Sequence, residues 1–223
     1  MKIKIAIASN KNFEKLTLPV VIESLQLSGI ENNLIHVFIC GYDKREVIER
    51  DGITYYHLKQ NSYEYSPLID IVENELISDY WFLMHDTCKT GPDFKELLYS
   101  NIGDTYPEKV ALTIKPAMSI GLYRYDYLLS VKDKLLSIKN EDYSESTLQE
   151  WKAWGVPNED FILWMTEPIP LLPKINHGFI VLGNENWYNT GSIRRSEHFP
   201  GFDIYKNKSN WGQTLPGNMV IRL

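Results

Sequence analysis

Residues 80–87 read Tyr80-Trp81-Phe82-Leu83-Met84-His85-Asp86-Thr87. An unbroken run of aromatic and aliphatic side chains gives way, without a spacer, to an imidazole, a carboxylate and a hydroxyl. A short apolar run of this kind, bounded by polar residues, is the pattern of a strand buried on both faces. The abrupt change of chemistry places His85 and Asp86 at the carboxyl end of that strand.

Three similar runs precede it. Ile3 to Ala8 is β-branched and apolar, Leu34 to Cys40 is closed by Gly41, and Ile53 to Leu58 follows. Between the first two, a helical pattern runs from about Leu18 to Leu27 and stops near Gly29. A second helix begins at Ser66-Pro67, with proline at its first position and Leu68, Ile71, Val72 and Leu76 on one face. Strand, helix, strand, strand, helix, strand predicts an α/β protein, with a single Rossmann-like domain and a mostly parallel central sheet flanked by helices. Ligands of such sheets bind beyond the carboxyl ends of the strands. The candidate binding residues are therefore Ser9 and Asn10, Tyr42 and Asp43, and His85 and Asp86.

The second half is less regular. Helices are expected from Pro92, over Tyr125 to Ile138 and over Ser146 to Trp154. Another is expected after Asn158, a good N-cap, and a late strand spans Lys174 to Leu182. The expected organisation is one domain over residues 1–223. Residues 1–90 form its nucleotide-binding half, 91–190 its acceptor or catalytic half, and 191–223 a C-terminal lid or tail.

Composition narrows the function classes. The formal net charge is −6, with 29 acidic against 23 basic side chains. A nucleic-acid binder needs a basic face to recover phosphate affinity, so none is expected as a partner. Cys40 and Cys88 have no motif spacing and read as free thiols. The start Met1-Lys2-Ile3-Lys4-Ile5 lacks the pattern of a secretory signal. No run approaches the roughly 20 apolar residues of a membrane helix. The expectation is a cytoplasmic protein without membrane insertion.

Several groups carry chemistry under one reading and structure under another. Asp86 is suited to a hard divalent cation that neutralises a diphosphate, or to capping a turn beside His85. Glu159 and Asp160 offer a general base, or complement the dipole of a helix start. Tyr42 and Asp43 suit a nucleotide base and ribose, or an unliganded turn. Arg194, Arg195, His198, Lys206 and Lys208 form either a cationic flap over a diphosphate or a solvated loop. Trp151, Trp154, Tyr123 and Tyr125 stack on an acceptor sugar or fill the core.

On these residues the chain resembles the GT-A fold of glycosyltransferases, in particular the large inverting family of nucleotide-sugar transferases. Leu83-Met84-His85-Asp86-Thr87 takes the position of that family's Asp-x-Asp metal motif, with its only carboxylate in the middle. Gly91-Pro92-Asp93-Phe94 resembles the segment that follows. Gly155-Val156-Pro157-Asn158-Glu159-Asp160-Phe161 resembles the Glu-Asp segment, and Lys174-Ile175-Asn176-His177-Gly178 the later His-containing strand.

The resemblance implies transfer of a sugar from a nucleoside diphosphate donor, a UDP-sugar, to the hydroxyl of a glycan or other acceptor. It makes Asp160 the base with Glu159 as substitute, and puts Ser9 and Asn10 near the uracil. It also implies a Mn2+ or Mg2+ ion on Asp86 and His177, with His198 a rival to His177. The alternative is a catalytically inactive domain that binds a nucleotide sugar or a glycan. A sugar-phosphate nucleotidyltransferase would carry a Gly-rich, Arg-containing loop after the first strand, where this chain has Ser9-Asn10-Lys11-Asn12.

Overall fold

The computed structural model describes residues 1–112, 120–141, 178–183, 185, 187–188 and 193–209. In chain order its elements are β1 (Ile3–Asn10), α1 (Glu14–Leu27), β2 (Ile35–Cys40), β3 (Glu46–Arg50), β4 (Ile53–Leu58), α2 (Ser66–Glu73), β5 (Tyr80–His85) and β6 (Cys88–Thr90). There follow α3 (Phe94–Ile102), β7 (Lys109–Ala111), β8 (Gly121–Arg124), α4 (Tyr125–Ser130), α5 (Lys132–Ser137), β9 (Ile180–Gly183), β10 (Ile193–Phe199) and β11 (Ile204–Ser209).

The protein is α/β, and seven strands form a mixed sheet in the order β3-β4-β2-β1-β5-β8-β7. Its centre is parallel: β4 on β2, β2 on β1 and β1 on β5. Both margins are antiparallel, with β3 added to β4 on one side, and β8 to β5 and β7 to β8 on the other. The expected parallel sheet is therefore confined to the four buried apolar runs. The marginal strands are short, and β3 is mostly exposed. Gly121 lets β7 and β8 approach closely, because a Cβ there would stand 2.4 Å from the Val110 carbonyl oxygen.

The pleat divides the core. Ile3, Ile5 and Ile7 of β1 face the same side as Phe82 and Met84 of β5, packing with Val21 and Leu25 of α1 and Phe94 and Leu98 of α3. Ala6, Phe38, Trp81 and Leu83 face the other side, against Leu68, Ile71 and Val72 of α2. Helices on both faces explain why these strands read as continuous apolar runs.

A second, four-stranded antiparallel sheet, β6-β11-β10-β9, begins where β5 ends. Residues 193–209, expected in a lid or tail, form its strands β10 and β11. Phe199, Phe202 and Ile204 are buried in the same core as β1 and β5. The predicted helix over Tyr125 to Ile138 is two short ones, parted at Val131. α1 starts at Glu14, ahead of the expected Leu18, and accommodates Pro19 inside it. Among the described residues, no helix is long and apolar enough to cross a membrane.

One buried polar side chain gives the fold a pH dependence. His36 in β2 is 5 % exposed, its ring lies edge-on to Trp81, and its Nδ1 is 3.1 Å from the Tyr56 hydroxyl. Burial, reinforced by Lys4 and Lys2, pushes its pKa from 6.5 down to about 3. As pH falls below 6.5 the unfolded chain takes up this proton first, so stability present above that pH is lost progressively towards pH 3. Replacing His36 with Phe should shrink the loss between about pH 7 and pH 5 by about 2 kcal/mol. Urea unfolding of both proteins at the two pH values measures it, and identical losses would refute it.

Candidate functional site

The direction in which strands are added reverses at β1. From β1 the sheet grows through β2 to β4, then the chain returns and lays β5 on the opposite side of β1. Such a reversal opens a crevice at the carboxyl ends of the two strands. The register sets Ala8 opposite His85 and Asn10 opposite Cys40, so Ser9, Asn10, His85 and Asp86 share one strand-end rim.

Asp86 organises that rim. Its N–H continues the ladder to the Ala8 carbonyl at 3.0 Å. Its Oδ2 accepts the Ser9 hydroxyl at 2.7 Å and the Thr17 hydroxyl at 2.8 Å. Thr17 lies in the first turn of α1, so the carboxylate joins β1, α1 and β5. Burial raises the Asp86 pKa, against the opposing pull of Ser9, Thr17 and the Lys206 charge. The turn that follows is fixed by Tyr188, whose hydroxyl lies 2.6 Å from the Asp86 carbonyl oxygen and 3.0 Å from that of Cys88.

Beside Asp86, the Nδ1 of His85 lies 2.6 Å from the Nζ of Lys206, which is also 3.4 Å from the Thr87 hydroxyl. Lys206 belongs to β11, opposite Cys88, and is 6 % exposed. Burial and then the Lys206 charge hold the His85 pKa well below the usual histidine value, so the ring is neutral.

Tyr42 sits further along the rim. Its N–H donates to the Leu58 carbonyl, its hydroxyl donates to Glu14 Oε1 at 2.9 Å, and its ring stacks on His57 with centroids 3.8 Å apart. Tyr42 and Asp86 are thus both tied to the first turn of α1, through Glu14 and Thr17. Asn10 Oδ1 accepts the Asn12 N–H at 3.0 Å, shaping the turn after β1. Asp43 is exposed, and among the described residues no hydrogen bond joins it to the others.

Of the expected flap cations, Arg195 pairs with the buried Glu197 and His198 with Asp203. Lys206 alone among those described reaches the strand ends. Tyr123 is fully buried in β8, so it is core and not an acceptor platform. Glu159, Asp160, His177, Trp151 and Trp154 lie outside the described residues. Thr17, Tyr188 and the role of Lys206 have no local signal in the sequence. Thr17 falls just before the helix as its periodicity reads. Lys206 is one lysine in an alternating run, and only strand pairing brings it to His85.

A hard divalent cation wants several oxygen ligands around a vacant centre. The described residues do not fit one. One Asp86 oxygen already accepts two hydroxyls, and the Lys206 amine stands at His85, in the place where the cation's charge is wanted. Among the described residues no group of three or more His, Cys, Asp or Glu side chains is assembled for a metal.

The chain matches no protein-family model and no curated protein sequence. Function therefore rests on the chemistry of the strand ends.

Asp86→Ala removes the acceptor from two hydroxyls held at the β1–α1 junction, which should cost about 1–3 kcal/mol of stability. Asp86→Asn keeps an acceptor oxygen and should lose less. Urea midpoints at unchanged slope report the difference, and an Asp86→Ala midpoint equal to wild type would overturn this role.

Proposed function

We propose that the protein binds a nucleoside diphosphate sugar along the carboxyl ends of β1, β2, β4 and β5, and transfers the sugar to a hydroxyl acceptor as a GT-A-like glycosyltransferase. The observation that carries the reading is the reversal of strand order at β1, with Ser9, Asn10, His85 and Asp86 on its rim. Two features support it. Tyr42, backed by the His57 ring, is a flat aromatic surface suited to a base. Lys206 brings positive charge to the β5 end, where a diphosphate would sit.

In the reaction, the acceptor oxygen attacks the anomeric carbon of the donor sugar. The bond from that carbon to the diphosphate oxygen breaks, and the leaving diphosphate takes the electron pair. The acceptor proton passes to a carboxylate, assigned from sequence to Asp160, with Glu159 as its neighbour and substitute. A position in the first turn of a helix favours the ionised form that accepts a proton.

The second reading, a domain that binds a nucleotide sugar or glycan without turnover, is favoured by one observation. Asp86, the only carboxylate of the His85-Asp86-Thr87 triplet, is committed to Ser9 and Thr17. Donor binding without transfer or hydrolysis would select it.

Calorimetry with uridine diphosphate and its sugars should show saturable binding to the wild-type chain. Asp160→Asn should keep donor affinity while transfer falls by about 10²- to 10⁴-fold. Absence of binding to every nucleoside diphosphate, with manganese or with chelator, would remove the reading.

A further inference from the structure

β3 closes one margin of the seven-stranded sheet, and its outer edge meets no strand among the described residues. Its residues are exposed except for Ile48, which is half-buried. The opposite margin differs, since β7 is buried throughout. A strand open along one side presents unpaired N–H and C=O groups that another strand can answer. Val47, 48 % exposed, adds an apolar side chain to that edge.

The order of its side chains selects the strand that fits. β3 reads Glu46-Val47-Ile48-Glu49-Arg50, with opposite charges at equal distances on either side of Ile48. Side chains alternate along a strand, so Glu46, Ile48 and Arg50 share one face and Val47 and Glu49 the other. In a second copy of β3 laid antiparallel across a two-fold axis at Ile48, Glu46 comes opposite the partner's Arg50, and Arg50 opposite the partner's Glu46. Ile48 then meets its own equivalent, and Val47 lies against the stem of the partner's Glu49. A parallel approach in register would set Glu46 on Glu46 and Arg50 on Arg50, which is unfavourable. An antiparallel approach slipped by one or two residues would lose both charge pairs. Edge charges commonly discourage pairing; here they favour one arrangement over its alternatives.

Neither charge is fully answered within one chain. The Glu46 carboxylate is 3.8 Å from His57 Nδ1 and half exposed. The Arg50 guanidinium lies 5.9 Å from the centroid of the Tyr55 ring and forms no ion pair among the described residues.

We propose that two copies of this chain associate edge to edge through β3, joining their seven-stranded sheets across a two-fold axis at Ile48. Because β3 is antiparallel to β4, the parallel core strands of the two copies run in opposite directions. The two strand-end rims therefore open at opposite ends of the joined sheet and do not meet.

The test is sedimentation velocity of the full chain over a concentration series at low salt. The wild-type chain should show a monomer–dimer equilibrium that weakens as salt is raised. Glu46→Lys and Arg50→Glu each set like charges together at both ends of the pairing, and each should weaken association by about 10- to 100-fold. The two changes in one chain restore opposite charges and should return association towards wild type. An equal mixture of the two single variants should do the same by forming a mixed dimer. Ile48→Cys should cross-link to its own copy on oxidation faster than Val47→Cys, since position 48 meets itself. The native thiols Cys40 and Cys88 are buried and do not interfere.

A wild-type chain that stays monomeric at every concentration overturns the proposal. So does a dimer that both single variants leave unchanged, or one in which the combined variant associates no more tightly than the single ones. Cross-linking at position 48 no faster than at position 47 overturns it as well. The wild-type series and the cross-link need neither charge reversal, so they decide the matter even where a reversed chain folds poorly.

Discussion

A single carboxylate oxygen, Oδ2 of Asp86, accepts hydroxyls from the end of β1 and the first turn of α1. The rest of the rim depends on that junction. It sets where β5 stops, and so where His85 stands. The turn behind it is then fixed by Tyr188 through the Asp86 and Cys88 carbonyls, which starts β6 in the direction that β11 can pair. The second sheet is thereby attached to the first at the carboxyl end of β5.

The electrostatics of the rim follow from one cation acting on two neighbours of opposite type. The Lys206 charge favours the ionised form of Asp86 and disfavours the protonated form of His85. Burial opposes charge on both. For His85 the two influences add, and the ring is held neutral. For Asp86 they compete, and burial prevails in the net direction. The hydroxyls of Ser9 and Thr17 limit how far it does so.

What was legible in the sequence divides along burial. Ile3–Ala8, Ile35–Cys40 and Tyr80–Met84 are apolar because both their faces are covered, whereas Ile53–Leu58 is only partly buried, and each is a strand. Ser66-Pro67 opens α2 as its turn chemistry predicts. β3 has little burial and β7 and β8 are short, so no periodic signal marks them. β10 (Ile-Arg-Arg-Ser-Glu-His-Phe) and β11 (Ile-Tyr-Lys-Asn-Lys-Ser) are mostly polar, a composition shared by loops, and the pairing of β11 with β6 is long-range. The strand-end residues Ser9, His85 and Asp86 were legible because a buried strand must end in something polar. Thr17, Tyr188 and the place of Lys206 were not, since each is defined by a partner far away in the chain.

The separation between His85 and Lys206 has a consequence in time. The two are 121 residues apart, so at about 5–20 residues per second roughly 6–24 s of synthesis lie between them. Throughout that interval β6 has no strand to pair with, and His85 has no amine beside it. The apolar face of β1 and β5 also waits for Phe199, Phe202 and Ile204 to cover it. Until then the emerging first half carries an unpaired edge and uncovered apolar surface, the features that make partly folded chains prone to association. The Lys206–His85 contact forms late, when β11 docks on β6.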